Sequence, residues 1–235
     1  ACHAKPRITT AGVPSLPWPI TAEAAAAIRA AHSLQDEPVV FHDPYAVELT
    51  SRSWRFIARS RWLTDIAKRY FKLMLPVRGQ VVARSRFCED QLEKAMARGV
   101  CQYVIVGAGF DSFALRRPDL VERLTVYELD HPATQNAKRE RLRKLTHRLP
   151  PHLVFVPVDF EREGLAAALA RTSFDFDRPV FVSWLGTTYY LSPPAIFGLL
   201  REMAACMVAG SEIVFDFAVD AGLLDATEQR HVAAI

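Results

Sequence analysis

The chain has 235 residues, half of them hydrophobic and 23% charged, a globular composition that excludes a disordered polyelectrolyte. Its formal net charge of +3 is too small to argue for nucleic acid. The cysteines Cys2, Cys88, Cys101 and Cys206 lie far apart with no C-x-x-C pair, which excludes a zinc site or disulfide framework, makes a reducing cytoplasm the expected location, and sits with the absence of any apolar run long enough to span a membrane.

The first twenty residues lack a signal-peptide pattern and hold Pro6, Pro14, Pro17 and Pro19, so they read as an extended arm. Helical periods then dominate as far as Gly99. "TAEAAAAIRAAHS" (21–33) is an alanine-rich helix with Thr21 as its expected cap. "HDPYAVELTS" starts a second helix on Asp43, with Pro44 in its first position. In "SWRFIARSRWLTDIAKRYFKLML", Trp62, Ile66, Tyr70 and Met74 recur at strict fours, which predicts one amphipathic helix packing an aromatic stripe into a core. Its basic residues, from Arg52 to Lys72, read as the solvated side. "QVVARSRFCEDQLEKAMARG" is a further helix that ends at Gly99.

From Cys101 onward, short β-rich runs alternate with helical stretches. "CQYVIVG", "LTVYEL", "LVFVPV", "PVFVSWLG" and "SEIVFDFAV" are the strands, and 111–117, 132–145, 161–171 and 192–207 are the helices between them. Continuous apolar strands separated by helices predict a doubly wound α/β domain, a mostly parallel Rossmann-like sheet covered on both faces. The expected organisation is an arm and helical lid over 1–98 and a cofactor-binding domain over 99–235. The fifth strand comes late in the chain, so this domain is expected to be incomplete at its C-terminus. Ligand belongs beyond the carboxyl ends of the strands, at 107–111, 128–131, 159–160 and 185–190.

"VIVGAGFDSFAL" (104–115) is a strand running into a Gly-Ala-Gly turn. No lysine follows the turn, which rules out a Walker-type phosphate loop. Gly107, Gly109 and Ser112 approximate the G-x-G-x-x-G of dinucleotide folds, but Asp111 at the helix start would repel a pyrophosphate. S-adenosylmethionine carries no phosphate, and its sulfonium and ammonium groups are cationic, so electrostatics favours it. At the end of the second strand, Glu128 and Asp130 point to one side and either can accept ribose hydroxyls. Asp159 ends the third strand, where an acid either meets an adenine amino group or caps a helix.

The motifs "VVARSRFCEDQL", "VIVGAGFDSFALR", "VYELDHP", "VPVDF" and "SWLGTTYYLSPPAIFGLL" resemble, in order and spacing, those of S-adenosylmethionine-dependent methyltransferases of the leucine carboxyl methyltransferase family. The likeness, over roughly 21–217, is to a bacterial, actinobacterial-type branch, and "FHDPYA" (41–46) shares it. The resemblance implies S-adenosylmethionine as cofactor, Arg84 on its methionine carboxylate, and Gly107, Ala108 and Gly109 as the turn beneath the methionine portion. It also implies Asp130 on the ribose and Asp159 with Phe160 beside the adenine. Arg86 has Asp90 at i+4, whereas Arg84 faces Cys88 with no local acid, which leaves it available to a carboxylate. Leu185 stands where many relatives carry a Glu after the fourth strand, so the cofactor's amino group needs another acceptor.

The expected activity is O-methylation of a carboxylate or hydroxyl on a small molecule, with neither nucleic acid nor membrane as partner. A carboxylate acceptor needs no base, whereas a hydroxyl would need one such as His131, Tyr189 or Tyr190. Trp54, Trp62 and Phe71 are candidates to line the acceptor pocket from the lid. The competing readings are a nicotinamide-dependent oxidoreductase, disfavoured by Asp111, and a non-catalytic cofactor-binding protein, compatible with Leu185.

Overall fold

Two strands are buried along their whole length, β1 (Gln102–Val106) and β4 (Phe181–Trp184), and they pair in parallel at the centre of a five-stranded sheet. β2 (Thr125–Asp130) and β3 (Leu153–Pro157) extend it on one side and β5 (Glu212–Phe215) on the other, giving the order β3-β2-β1-β4-β5 with every pairing parallel. The chain reverses direction of travel at β1, so the crevice between β1 and β4 is the place for a ligand. The computed structural model describes residues 18–70, 74–217, 221–223, 225 and 229. Among these, no helix is long and apolar enough to cross a membrane.

Alternation along the strands feeds two cores. Val104, Val106, Tyr127, Leu129, Val182 and Trp184 pack toward α8 (Leu165–Leu169) and α9 (Pro193–Cys206). Tyr103, Ile105, Val126 and Phe181 pack on the opposite face against Cys88, Leu92 and Ala95 of α5 (Met74–Ala97) and Phe113 of α6 (Phe113–Arg116). Such continuous apolar strands are what a sheet covered on both faces requires.

The N-terminal helices depart from the sequence reading in their boundaries. α1 (Trp18–Gln35) starts earlier than expected: Trp18 and Pro19 belong to its first turn rather than to an arm, and Thr21 is inside it. Residues 1–17 of the expected arm lie outside the described residues. Asp43 does accept from a helical N–H, that of Ala46, but α2 (Ala46–Leu49) is a single turn that starts after Pro44 and Tyr45. Over its described part before residue 71 the predicted long helix is two, α3 (Arg52–Arg59) and α4 (Arg61–Tyr70), broken at Ser60, whose extended backbone ends the first. Its last residues, Met74 and Leu75, begin α5 instead, and 71–73 lie outside the described residues. On α4 it is Thr64 that is buried, while Trp62 is 70% exposed and not packed in a core. The side chains of Tyr70, Phe71 and Met74 lie outside the described residues.

α7 (Pro132–Leu145) covers β2 and brings a charge into the interior. Lys138 Nζ lies 2.5 Å from Glu128 Oε2, and neither side chain is more than 2% exposed. Burial pushes the Glu128 carboxyl up to about 7, against the pull of Lys138. Removing one member leaves a buried charge alone, so Glu128→Leu is expected to cost about 3–5 kcal/mol, and the double variant Glu128→Leu/Lys138→Met to recover most of it. Urea unfolding of the three proteins checks this; equal losses in the single and double variants would contradict it.

Candidate functional site

The turn after β1 hangs on the end of β2. The N–H groups of Gly107 and Ala108 both donate to the Leu129 carbonyl, at 2.8 and 3.1 Å, and that of Gly109 donates to Asp130 Oδ2 at 2.5 Å. Gly107 has φ +69°, and a Cβ there would run into Thr187 Cγ2 in the loop after β4. Only glycine combines that backbone with that approach. The turn is thus clamped between the ends of β2 and β4.

Around it opens a cavity of about 500 Å³, within the usual range for a small-molecule site. The sheet side contributes Gly107, Ala108, Gly109, Asp111, Asp130, Ser183, Leu185 and Thr187. The opposite wall is helical: Ala22, Ala25 and Ile28 of α1, and Val81, Arg84 and Cys88 of α5. Of the residues singled out in the sequence, Arg84, the three turn residues, Asp111, Asp130, Leu185 and Tyr190 therefore meet at one cavity.

Others do not line it. Glu128 lies beneath α7 with Lys138; Asp130, two residues further along β2, is the one that reaches the rim. Asp159 Oδ1 accepts from the Glu161 N–H at 3.1 Å and its carbonyl from those of Arg162 and Glu163, a turn-closing role. Phe160 packs on the core and borders a second cavity of about 290 Å³, with Gly164, Leu191 and Glu202. His131 is exposed and caps α7, its Nδ1 accepting from the Ala133 N–H at 3.2 Å. Trp54 and Trp62 are not part of the cavity wall, and the side chain of Tyr189 lies outside the described residues.

Arg84 has no local acid, as expected, but it is not left free: a distant acid holds it. Its Nη1 lies 2.6 Å from Oδ2 of Asp216, 132 residues away and just past β5. Two further residues were missed. Among the described residues, Thr134 Oγ1 and Thr187 Oγ1 are buried hydroxyls without a hydrogen-bond partner, and both residues line the cavity. An orphaned buried hydroxyl costs free energy unless a ligand satisfies it. Thr187 falls in the 185–190 loop flagged from sequence; Thr134, in the first turn of α7 beside Asp130, carried no local signal.

The titratable groups facing the cavity are held in defined states. Burial pushes the Cys88 thiol up to about 12 and the Tyr103 hydroxyl well above its ordinary value. Tyr103 Oη lies 2.9 Å from Ser183 Oγ and 3.8 Å from Cys88 Sγ, so this floor is polar yet uncharged at neutral pH. Burial also raises the Asp130 carboxyl, in part offset by the N–H groups of Gly109 and His131.

Behind the turn stands a buried ionic hub. Asp43 accepts from Arg29 Nε at 2.9 Å, from Ser112 Oγ at 2.6 Å and from the Ala46 N–H at 3.0 Å. Arg29 also donates to the Phe110 carbonyl at 2.8 Å, and Arg116 bridges Asp43 to both oxygens of Glu89 on α5. Burial would raise the Asp43 carboxyl, but Arg29, Arg116 and the Ser112 hydroxyl outweigh it and hold it below 3.8.

Residues 22–204 match the family model described as leucine carboxyl methyltransferase. YktD of Bacillus subtilis (strain 168), provisionally named an S-adenosyl-L-methionine-dependent methyltransferase, is 33% identical over 216 residues, covering 85% of this chain and 70% of that protein. A protein of the same provisional name from Mycolicibacterium paratuberculosis is 34% identical over 204 residues, covering 83% of this chain and 62% of that protein. The chain thus spans roughly two thirds of the length of these relatives. A solved structure from Thermobifida fusca YX, provisionally titled a methyltransferase, shares the fold with a TM-score of 0.57 at 17% identity, covering 89% of this chain and 70% of its own.

The depressed Asp43 carboxyl contributes stability that is complete above the ordinary value of 3.8 and is lost as pH falls through the folded-state value. Asp43→Asn, which leaves Arg29 and Arg116 facing a neutral amide, is expected to cost about 3 kcal/mol at pH 7 and to flatten the acid limb of the stability curve. Urea midpoints from pH 2 to pH 7 read both effects. A variant as stable as wild type at pH 7 would contradict the hub.

Proposed function

The chain belongs to the leucine carboxyl methyltransferase family and is an S-adenosylmethionine-dependent methyltransferase; from that premise we propose that it methylates a carboxylate or hydroxyl oxygen of a small molecule. The observation that carries the assignment of the site is the meeting of Arg84, the Gly107–Gly109 turn and Asp130 around one cavity of about 500 Å³. The bound cofactor supplies a methyl group on a sulfonium, which leaves as a neutral thioether. The rest of the work falls to alignment and exclusion of water.

In this reading Arg84 takes the methionine carboxylate through charge-assisted hydrogen bonds. Asp130, at the rim of β2, takes the ribose hydroxyls. The hydroxyls of Thr134 and Thr187, which find no partner among the described residues, supply further hydrogen bonds. Glu89, Asp111 and Asp130 also line the cavity. The charge of Asp111 and Asp130 suits a sulfonium and an ammonium and opposes a pyrophosphate, which supports the methyl donor over a dinucleotide; that of Glu89 is paired with Arg116.

The acceptor class follows from what the walls can do with a proton. Cys88 and Tyr103 stay protonated, and the Glu89 carboxylate is engaged by Arg116. His131 points its Nδ1 at its own helix, not at the cavity. Tyr190 is the one sequence-flagged candidate base with a described side chain on the lining. These features suit an acceptor that arrives ionised, and a carboxylate is such a group. α1 and α5 act as the lid, closing the helical side of the cavity against water.

Thr134→Val keeps the shape of the side chain and removes the orphan hydroxyl. It is expected to weaken S-adenosylmethionine binding by roughly five- to tenfold, the equivalent of about 1 kcal/mol or a little more, by calorimetry. Incubation with the cofactor and a panel of small carboxylic acids, phenols, alcohols and amines then tests the acceptor. The expected product is a methyl ester, read as methanol released by alkali. Transfer confined to amines would overturn the oxygen-acceptor reading.

A further inference from the structure

The amino-acid end of the cavity is organised by a residue outside its lining. Asp216 follows β5, and its two carboxylate oxygens are used in different directions. Oδ2 lies 2.6 Å from Arg84 Nη1 on α5, and Oδ1 accepts from the Gly186 N–H, in the loop after β4, at 2.7 Å. Its carbonyl accepts from Thr188 Oγ1 at 2.7 Å, which ties the same loop a second time. Gly186 has φ +73°, and a Cβ added there would lie 2.5 Å from Arg84 Nη2. The guanidinium therefore packs over the bare backbone of Gly186 while Asp216 grips it from one corner.

We propose that Asp216 is a positioning residue for cofactor binding, fixing Arg84 so that its free edge receives the amino-acid tail and making that end of the site neutral, as a zwitterion requires; this rests on the reading of the cavity as the S-adenosylmethionine site. Asp216 occupies Nη1. Nε and Nη2 make no hydrogen bond among the described residues. Those two donors form one edge of the guanidinium, the edge that can meet a carboxylate with two parallel bonds. A long arginine side chain loses rotamer freedom when it binds, and a partner that holds it beforehand lowers that cost.

Charge accounting supports the same role. Two guanidinium groups line the cavity, and Arg29 is committed to Asp43 and the Phe110 carbonyl. Asp216 is the acid bonded to Arg84 among the described residues, so without it the guanidinium would stand as an unpaired positive charge at the Gly186 loop, although Glu89, Asp111 and Asp130 line the same cavity. Paired with Asp216, it presents a dipole whose positive end faces the tail carboxylate and whose negative end lies on the same side of the Gly186 loop. An amino-acid tail carries both charges and sums to zero. Leu185 on that loop offers no side-chain acceptor for the tail ammonium, and Asp216 supplies the nearby negative charge from just past the neighbouring strand.

The test compares two ligands that share the adenosine and thioether and differ in the tail. S-adenosylhomocysteine has the amino-acid end; 5′-methylthioadenosine lacks it. Calorimetry of Asp216→Asn is expected to show S-adenosylhomocysteine weakened by roughly ten- to hundredfold, the range of a charge-assisted contact, and 5′-methylthioadenosine within about twofold of wild type. Asp216→Glu is expected to restore part of the loss, and Asp216→Asn to add nothing in an Arg84→Met background. Equal weakening of both ligands, no weakening of either, or a full effect without Arg84 would overturn the inference. Failure of the wild-type protein to bind either ligand would instead overturn the cofactor reading, and this inference with it.

Discussion

Asp43 has no exposed side-chain surface, yet it carries a charge, and the fold is arranged to make that tolerable. Arg29 of α1 and Arg116 of α6 neutralise it, Ser112 and the Ala46 N–H saturate its oxygens, and Arg116 passes the link on to Glu89 of α5. A buried carboxylate with this many partners is costly to rearrange, because any lost partner leaves an ion unpaired in low dielectric. The consequence is geometric. The helices α1 and α5, which form one wall of the cavity, are locked to Phe110 and Ser112, which lead from the glycine turn into α6. The cavity is defined because its two walls share one ion.

The turn depends on this from the other side as well. Its N–H groups are spent on Leu129 and Asp130 of β2, and its lack of side chains lets Thr187 approach from the β4 loop. Asp216 then joins that loop to α5 through Arg84. Strand ends, helices and turn thus form a closed ring around the cavity, held by carboxylates at Asp43, Asp130 and Asp216. Each of the three lies in a different segment, and each accepts from a backbone N–H as well as from, or beside, a charged partner.

What the sequence made legible is what short-range physics determines. The five strands are continuous apolar runs because both faces of the sheet are covered, and Gly107 and Gly109 mark the turn because no other residue suits that backbone. Glu128 and Asp130 could be placed on one side of β2 but not separated, because spacing does not say which of them α7 covers; Lys138 decides it. The stretch from Ser53 onward looked like one helix since nothing at Ser60 is a glycine or proline, and the aromatic stripe looked like core packing, whereas Trp62 of α4 is exposed. Arg84 seemed free because its neighbours at i+3 and i+4 hold no acid, whereas its partner comes from the far end of the sheet. Thr134 and Thr187 could not be found by type or spacing, for an unsatisfied hydroxyl exists only once the surrounding fold has closed.

In the proposed reading one cavity, bounded by Arg84, the Gly107–Gly109 turn and Asp130, is the seat of the methyl donor. A crystal structure of the protein with S-adenosylhomocysteine measures this directly. The ligand is expected in that cavity, its carboxylate on Nε and Nη2 of Arg84, its ribose hydroxyls on Asp130 and a hydroxyl contact from Thr134 or Thr187. Density for the ligand in the cavity beside Phe160 and Glu202, or seated with no contact to Arg84 and Asp130, would contradict it.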